Sequence, residues 1–140
     1  MPDELTAYPE HKCVGAIIIR DEFILLGKRS AERDFYPHVW DVFGGHIEPR
    51  ESLQRTLRRE LREELGIVPT RWYYLETLRG ADSTGRVECH FFVVTGWRGA
   101  PRNNQPQEHS EVRWFRFEEV TRLELAHLEY LRILRKAVAG

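Results

Sequence analysis

The chain has 140 residues, 31% of them charged and 41% hydrophobic, with a formal net charge of −1. That length suits one domain with a real core, and the near-neutral balance gives no reason to expect general affinity for nucleic acid or membranes. Residues 1–12 are polar, without the apolar stretch of a leader, and no apolar run is long enough to span a bilayer, so a cytoplasmic protein is expected.

A single domain over residues 1–140 is expected, with residues 1–10 as a loose arm broken by Pro2 and Pro9. Cys13 to Arg20 and Phe23 to Arg29 read as two strands around an Asp21-Glu22 turn. The nearly continuous apolar run implies burial on both faces. Lys28 and Arg29 close the second strand, where charges commonly mark an edge. Cys13 and Cys89 are the only cysteines, and both fall in strand-like runs as small buried thiols. Residues 30–39 form a polar loop with Arg33, Phe35 and His38, read as loop residues. It leads into a strand, Trp40 to Phe43, whose tryptophan belongs to the core, and then into Gly44-Gly45.

A helix is predicted from Ser52 to Leu65, stopped by Gly66. In steps of four, Leu53, Leu57, Leu61 and Leu65 form an apolar row, and Arg50, Gln54, Arg58 and Arg62 a row for water. Glu51–Arg55 and Arg59–Glu63 fit as ion pairs. The row Ser52, Thr56, Glu60, Glu64 sets two like charges one turn apart beside the apolar row, where repulsion is strengthened. Glu60 and Glu64 face the same space, which suits a hard divalent cation with oxygen ligands. The small Ser52 and Thr56 leave room above the row for a substrate.

Beyond the helix, Arg71 to Arg79 and Arg86 to Gly96 read as a long hairpin with its tip at Gly80 to Gly85. Residues 97–110 form a loop, Glu111 to Arg116 a strand, and Phe117 to Arg122 a turn. Leu125 to Ala139 is an amphipathic helix with Leu128, Leu131, Leu134 and Val138 on one face.

The stretch from Gly44 to Ile67 resembles the Nudix box, G-x5-E-x7-R-E-U-x-E-E-x-G-U with U aliphatic. Gly45, Glu51, Arg59, Glu60, Leu61, Glu63, Glu64, Gly66 and Ile67 fill every specified position. Phe43 stands where members usually carry proline, a departure that does not touch the chemistry. The resemblance implies an α+β Nudix fold, an α/β/α sandwich with a mixed sheet between helices. It also implies hydrolysis of a nucleoside diphosphate linked to another moiety, with Mg²⁺ (or Mn²⁺) held by carboxylates and substrate phosphates. Carried over by position, Glu60 and Glu64 are metal ligands, and Glu63 is a further ligand or the base. The choice of base between Glu60 and Glu63 stays open. Gly45, or Gly44 beside it, offers the metal a carbonyl, Arg59 orients the glutamates, and Glu51 orients the loop or touches a second metal. Arg29, with Lys28 and Gly44, falls on the substrate side, Arg29 being the better phosphate fork. Glu108, by its distance ahead of Trp114, matches a loop glutamate that completes the metal site.

The substrate expected is a small-molecule nucleotide, with no nucleic-acid or membrane partner; a homodimer is compatible. Asp82 replaces the proline of ADP-ribose-cleaving members, and Ser83 to Gly85 lack the tyrosine of those cleaving dinucleoside polyphosphates. The C-terminal part also has no evident match to the asparagine with which MutT reads an oxidised guanine. Among the substrates the resemblance implies, a nucleoside triphosphate is favoured, with a nucleotide sugar or ADP-ribose second. A non-catalytic ligand-binding regulator is the alternative from another class, but such domains tend to lose box glutamates and this chain keeps them all. An isopentenyl diphosphate isomerase needs further residues that are not evident here.

Overall fold

A computed structural model describes residues 10–34, 36–82 and 85–140. Most of the expected N-terminal arm, Phe35 of the polar loop and Ser83-Thr84 of the hairpin tip lie outside the described residues. Glu10, assigned above to the arm, already belongs to a strand.

The strands are β1 (Glu10–Arg20), β2 (Phe23–Arg29), β3 (Trp40–Asp41), β4 (Phe43–His46), β5 (Val68–Asp82), β6 (Gly85–Arg98) and β7 (His109–Arg116). The helices are α1 (Leu53–Leu65), the short α2 (Phe117–Val120) and α3 (Tyr130–Ala139). The strands form one seven-stranded sheet in the order β3-β2-β1-β6-β5, with β4 on β1 and β7 on β2. β1 runs parallel to β6, and the other pairings are antiparallel. The sheet is therefore mixed, as expected.

Alternation along β1 and β6 creates two cores. Val14, Ala16, Ile18, Phe92 and Val94 pack with Leu57, Leu61 and Leu65 of α1. Ile17, Phe91 and Val93 pack with Ile133, Leu134 and Ala137 of α3 on the other face. Val14 to Ile18 are buried throughout, which explains their unbroken apolar run.

The sheet is split at its centre. β1 keeps β2 as neighbour only from Ile18 to Arg20. From Cys13 to Ala16, β4 takes that place, while β2 continues along β7. The divergence opens a cleft between β1–β4 and β2–β3–β7.

Some sequence expectations change. The strand expected at Trp40–Phe43 is two short strands, and the long hairpin extends further at both ends, leaving a shorter tip. The turn at residues 117–122 contains α2. The final helix begins at Tyr130 rather than Leu125. The backbone of residues 124–126 is already committed, because Trp40 N–H donates to Glu124 O at 2.9 Å and Ala126 N–H to Trp40 O at 2.8 Å. Leu128, placed on the apolar face by periodicity, is 94% exposed, and Val138 is exposed. Leu134 is buried as expected and Leu131 packs against the core, and Ile133 and Ala137 complete the buried face. Among the described residues no helix is long and apolar enough to cross a membrane.

Candidate active site

α1 starts and stops where its sequence dictates. Ser52 Oγ accepts the Arg55 N–H at 3.1 Å, and Gly66 ends the helix in the left-handed region at φ 70°. Leu57, Leu61 and Leu65 anchor it to the sheet. That packing turns Glu60 and Glu64 toward β4.

β4 is a glycine floor. Gly44 has φ +134°, and a Cβ there would stand 1.9 Å from Val14 O, so only glycine fits. Its N–H donates to Glu64 Oε2 at 2.8 Å. At Gly45 a Cβ would come within 2.6 Å of the Glu60 carboxyl. The missing side chains let both carboxylates lie close to the strand.

Arg59 ties the helix to the loop before it. Nε and Nη2 hold both oxygens of Glu51 at 2.8 and 2.9 Å. Nη2 also donates to His46 O at 3.0 Å, and Nη1 to Glu60 Oε1 at 2.7 Å. The expected pair with Glu63 is also made, at a longer 3.4 Å and to a carboxylate that is 44% exposed. Glu51 is held by Arg59 and Thr56, which lower its pKa to about 2. Arg59 is the partner of Glu51 here, in place of the expected Arg55. The space expected above Ser52 and Thr56 is filled: Thr56 is fully buried, and its hydroxyl donates to Glu51 Oε1 at 2.7 Å.

Burial, with Glu64 as the next contributor, raises the Glu60 pKa to about 7. Burial raises that of Glu64 to about 8, against the opposing pull of the Gly44 N–H. Desolvation is the main cause at both carboxylates, and at Glu60 it outweighs the Arg59 guanidinium.

The loop before β7 is stitched to the end of α1. Arg102 N–H donates to Leu65 O and Asn104 N–H to Glu64 O, each at 3.0 Å, satisfying carbonyls that a helix end leaves open. Asn103 Nδ2 donates to His109 O at 2.7 Å, and Ser30 N–H to Glu108 O at 2.9 Å. The loop therefore carries Glu108 and His109 over Glu64. One donor atom from each of these three residues lies within 4.8 Å of the others.

These groups line a cavity of ≈ 410 Å³ in the cleft, with Gly44, Gly45, Arg59, Glu60, Glu64 and Glu108 in its wall. Asp41, Tyr130, Cys13 and Cys89 line it as well. Asp41 takes a hydrogen bond from Arg29 Nη1 at 3.1 Å, and burial still raises its pKa despite the arginine. Cys13 and Cys89 are register partners on β1 and β6; contact with Cys13, then burial, pushes the Cys89 thiol up. Arg29 reaches the cavity, whereas Lys28 and Glu63 do not line it.

The NUDIX domain family pattern matches residues 9–136. The chain belongs to the Nudix family. It is similar to a CTP pyrophosphohydrolase of Escherichia coli, 38% identical over 113 residues that cover 81% of each chain. An 8-oxo-dGTP diphosphatase of Haemophilus influenzae is 34% identical over 97 residues, covering 68% of this chain and 71% of that one. Among solved structures, the E. coli ORF135 protein superposes with a TM-score of 0.79 at 33% identity, covering 96% of this chain and 93% of the other. The chain is a Nudix pyrophosphohydrolase with the Nudix α+β fold.

Nudix enzymes typically use a divalent metal, and the donor set here fits one. Buried carboxylates that resist ionisation converge with a cavity-facing histidine. Sequence reasoning missed Asp41, Tyr130 and His109. Asp41 was detectable as the one charged residue in an apolar strand. His109 and Tyr130 carried no local signal, because long-range packing brings them to the cavity.

Proposed function

We propose that this Nudix enzyme is a Mg²⁺-dependent nucleoside triphosphate pyrophosphohydrolase, releasing a nucleoside monophosphate and pyrophosphate. The observation that carries the reading is one cavity of ≈ 410 Å³ that joins the carboxylates of Glu60, Glu64 and Glu108 to the guanidinium groups of Arg29 and Arg33. The names of the relatives, a CTP pyrophosphohydrolase and an 8-oxo-dGTP diphosphatase, support a triphosphate substrate.

In this reading Glu60, Glu64 and Glu108 hold the ion, with a carbonyl from Gly45. When bound, such an ion neutralises diphosphate charge and acidifies a water. Gly44 N–H fixes the Glu64 carboxylate, and Arg59 fixes Glu60 and the loop through Glu51. Arg29 and Arg33, both at the cavity, meet the phosphates. Of the two candidate bases, Glu60 faces the cavity and Glu63 stands outside it. That placement supports Glu60 as the group that would accept the proton of the attacking water.

The test is a panel of nucleoside triphosphates, nucleotide sugars, ADP-ribose and dinucleoside polyphosphates with Mg²⁺, scored by product identity. A triphosphate cleaved to monophosphate and pyrophosphate at the highest kcat/KM is the expected result. Faster cleavage of ADP-ribose or a nucleotide sugar than of every triphosphate would overturn the substrate reading. Binding without turnover across the panel would favour a regulator.

A further inference from the structure

We infer that His109 is a nitrogen ligand of the active-site ion, so that the site is a mixed imidazole–carboxylate centre preferring Mn²⁺ or Co²⁺ to Mg²⁺. This rests on the reading that the cavity holds a divalent cation.

His109 is 3% exposed, and neither ring nitrogen has a hydrogen-bond partner among the described residues. A buried imidazole with both nitrogens unsatisfied is uncommon and calls for a partner. The ring has been given a built place. Phe43 packs against it with centroids 5.3 Å apart. On β2, a Cβ at Gly27 would stand 2.8 Å from Nδ1, so the glycine makes room for the ring. With Nδ1 against that backbone, Nε2 is turned toward Glu64, 3.5 Å from Oε1.

That separation is too long for a good hydrogen bond. It suits two ligands of one ion, since donors each about 2.1 Å from a metal stand roughly 3–3.5 Å apart. Glu108 supplies a third donor within 4.8 Å. Oxygen donors alone suit Mg²⁺ and Mn²⁺, whereas an imidazole adds affinity for Co²⁺ and later metals, and more for Mn²⁺ than for the harder Mg²⁺.

Pulsed EPR on the intact protein loaded with Mn²⁺ tests the ligand directly. The expected spectrum shows the ¹⁴N coupling of a coordinated imidazole, absent in His109→Gln. Calorimetric titration with Mn²⁺, Co²⁺ and Mg²⁺ gives a second readout. His109→Gln should weaken Mn²⁺ and Co²⁺ roughly 10- to 100-fold and Mg²⁺ by no more than about threefold. Bound Mn²⁺ with no nitrogen coupling in the wild type would overturn the inference while leaving the divalent-cation reading intact. Coupling that survives in His109→Gln, or equal loss of all three metals, would also overturn it. Absence of any Mn²⁺ binding, with or without a non-hydrolysable nucleoside triphosphate, would remove both readings.

Discussion

Arg59 offers its guanidinium to a carboxylate pair, a carbonyl and a further glutamate at once. Only a planar fork can hold both oxygens of Glu51 and still reach Glu60 and His46 O. A lysine has the charge but makes one of these contacts at a time. Arg59→Lys should therefore lower kcat roughly tenfold or more, with a smaller change in KM and a modest fall in Tm. Steady-state kinetics beside a thermal melt checks this, and wild-type kinetics would reduce Arg59 to a surface ion pair. The box spacing made this arginine and its Glu63 pair visible in the sequence, but not its closer partner. Helical periodicity offered Glu63 one turn on, whereas Glu51 reaches it because Ser52 caps the helix and folds the preceding residue back. His109 shows the opposite limit: no local pattern distinguishes it from a loop histidine, and its place comes from Gly27, Phe43 and Glu64 on three other elements.

At the scale of elements, β4 separates folding from chemistry in two adjacent glycines. Gly44→Ala meets backbone at Val14 O and an unfavourable φ, so it should destabilise the protein by roughly 2–4 kcal/mol. Gly45→Ala meets only the flexible end of Glu60. It should displace that carboxylate and lower kcat while Tm changes little. Denaturant melts and kinetics on the pair check this; equal stability losses would show that Gly45 is also needed by the strand. The loop before β7 makes a similar division. Glu108 lines the cavity, whereas Glu111 lies further along β7, opposite Lys28 and bonded to Arg113. Glu108→Gln should lower kcat by roughly ten- to a thousandfold, and Glu111→Gln should stay near wild type. Equal, near-wild-type rates at saturating Mg²⁺ would leave the loop out of the site. Elements with caps or strict alternation, such as α1 and β1, were legible in the sequence. The start of α3 was not, because the hydrogen bonds of residues 124–126 with Trp40 override a continuous helical pattern.

For the whole molecule, the site sets how stability depends on pH. Glu60 and Glu64 ionise from an ordinary value of 4.5 in the unfolded chain, but near 7 and 8 in the metal-free fold. Between these values the folded state holds more protons than the unfolded one, so stability falls as pH rises. The fall starts above about pH 4.5, where the unfolded carboxylates ionise, and is complete just above pH 8. Glu51 acts with the opposite sign. Its pKa is lowered to about 2, so its contribution is present above pH 4.5 and is lost as pH falls toward 2. Metal-free protein should therefore be most stable near pH 5 and lose stability progressively up to pH 8. On the proposed reading a divalent ion would supply a counter-charge, so saturating Mg²⁺ should flatten the alkaline limb. Glu64→Gln removes the most perturbed carboxylate and should flatten much of that limb without metal, while abolishing most of the Mg²⁺ response and lowering kcat on the order of 10²-fold. Thermal melts from pH 4 to 9 in EDTA and in Mg²⁺ decide the matter. A metal-free Tm that stays level from pH 5 to 8, or rises, would mean that Glu60 and Glu64 are not held as charges awaiting a cation.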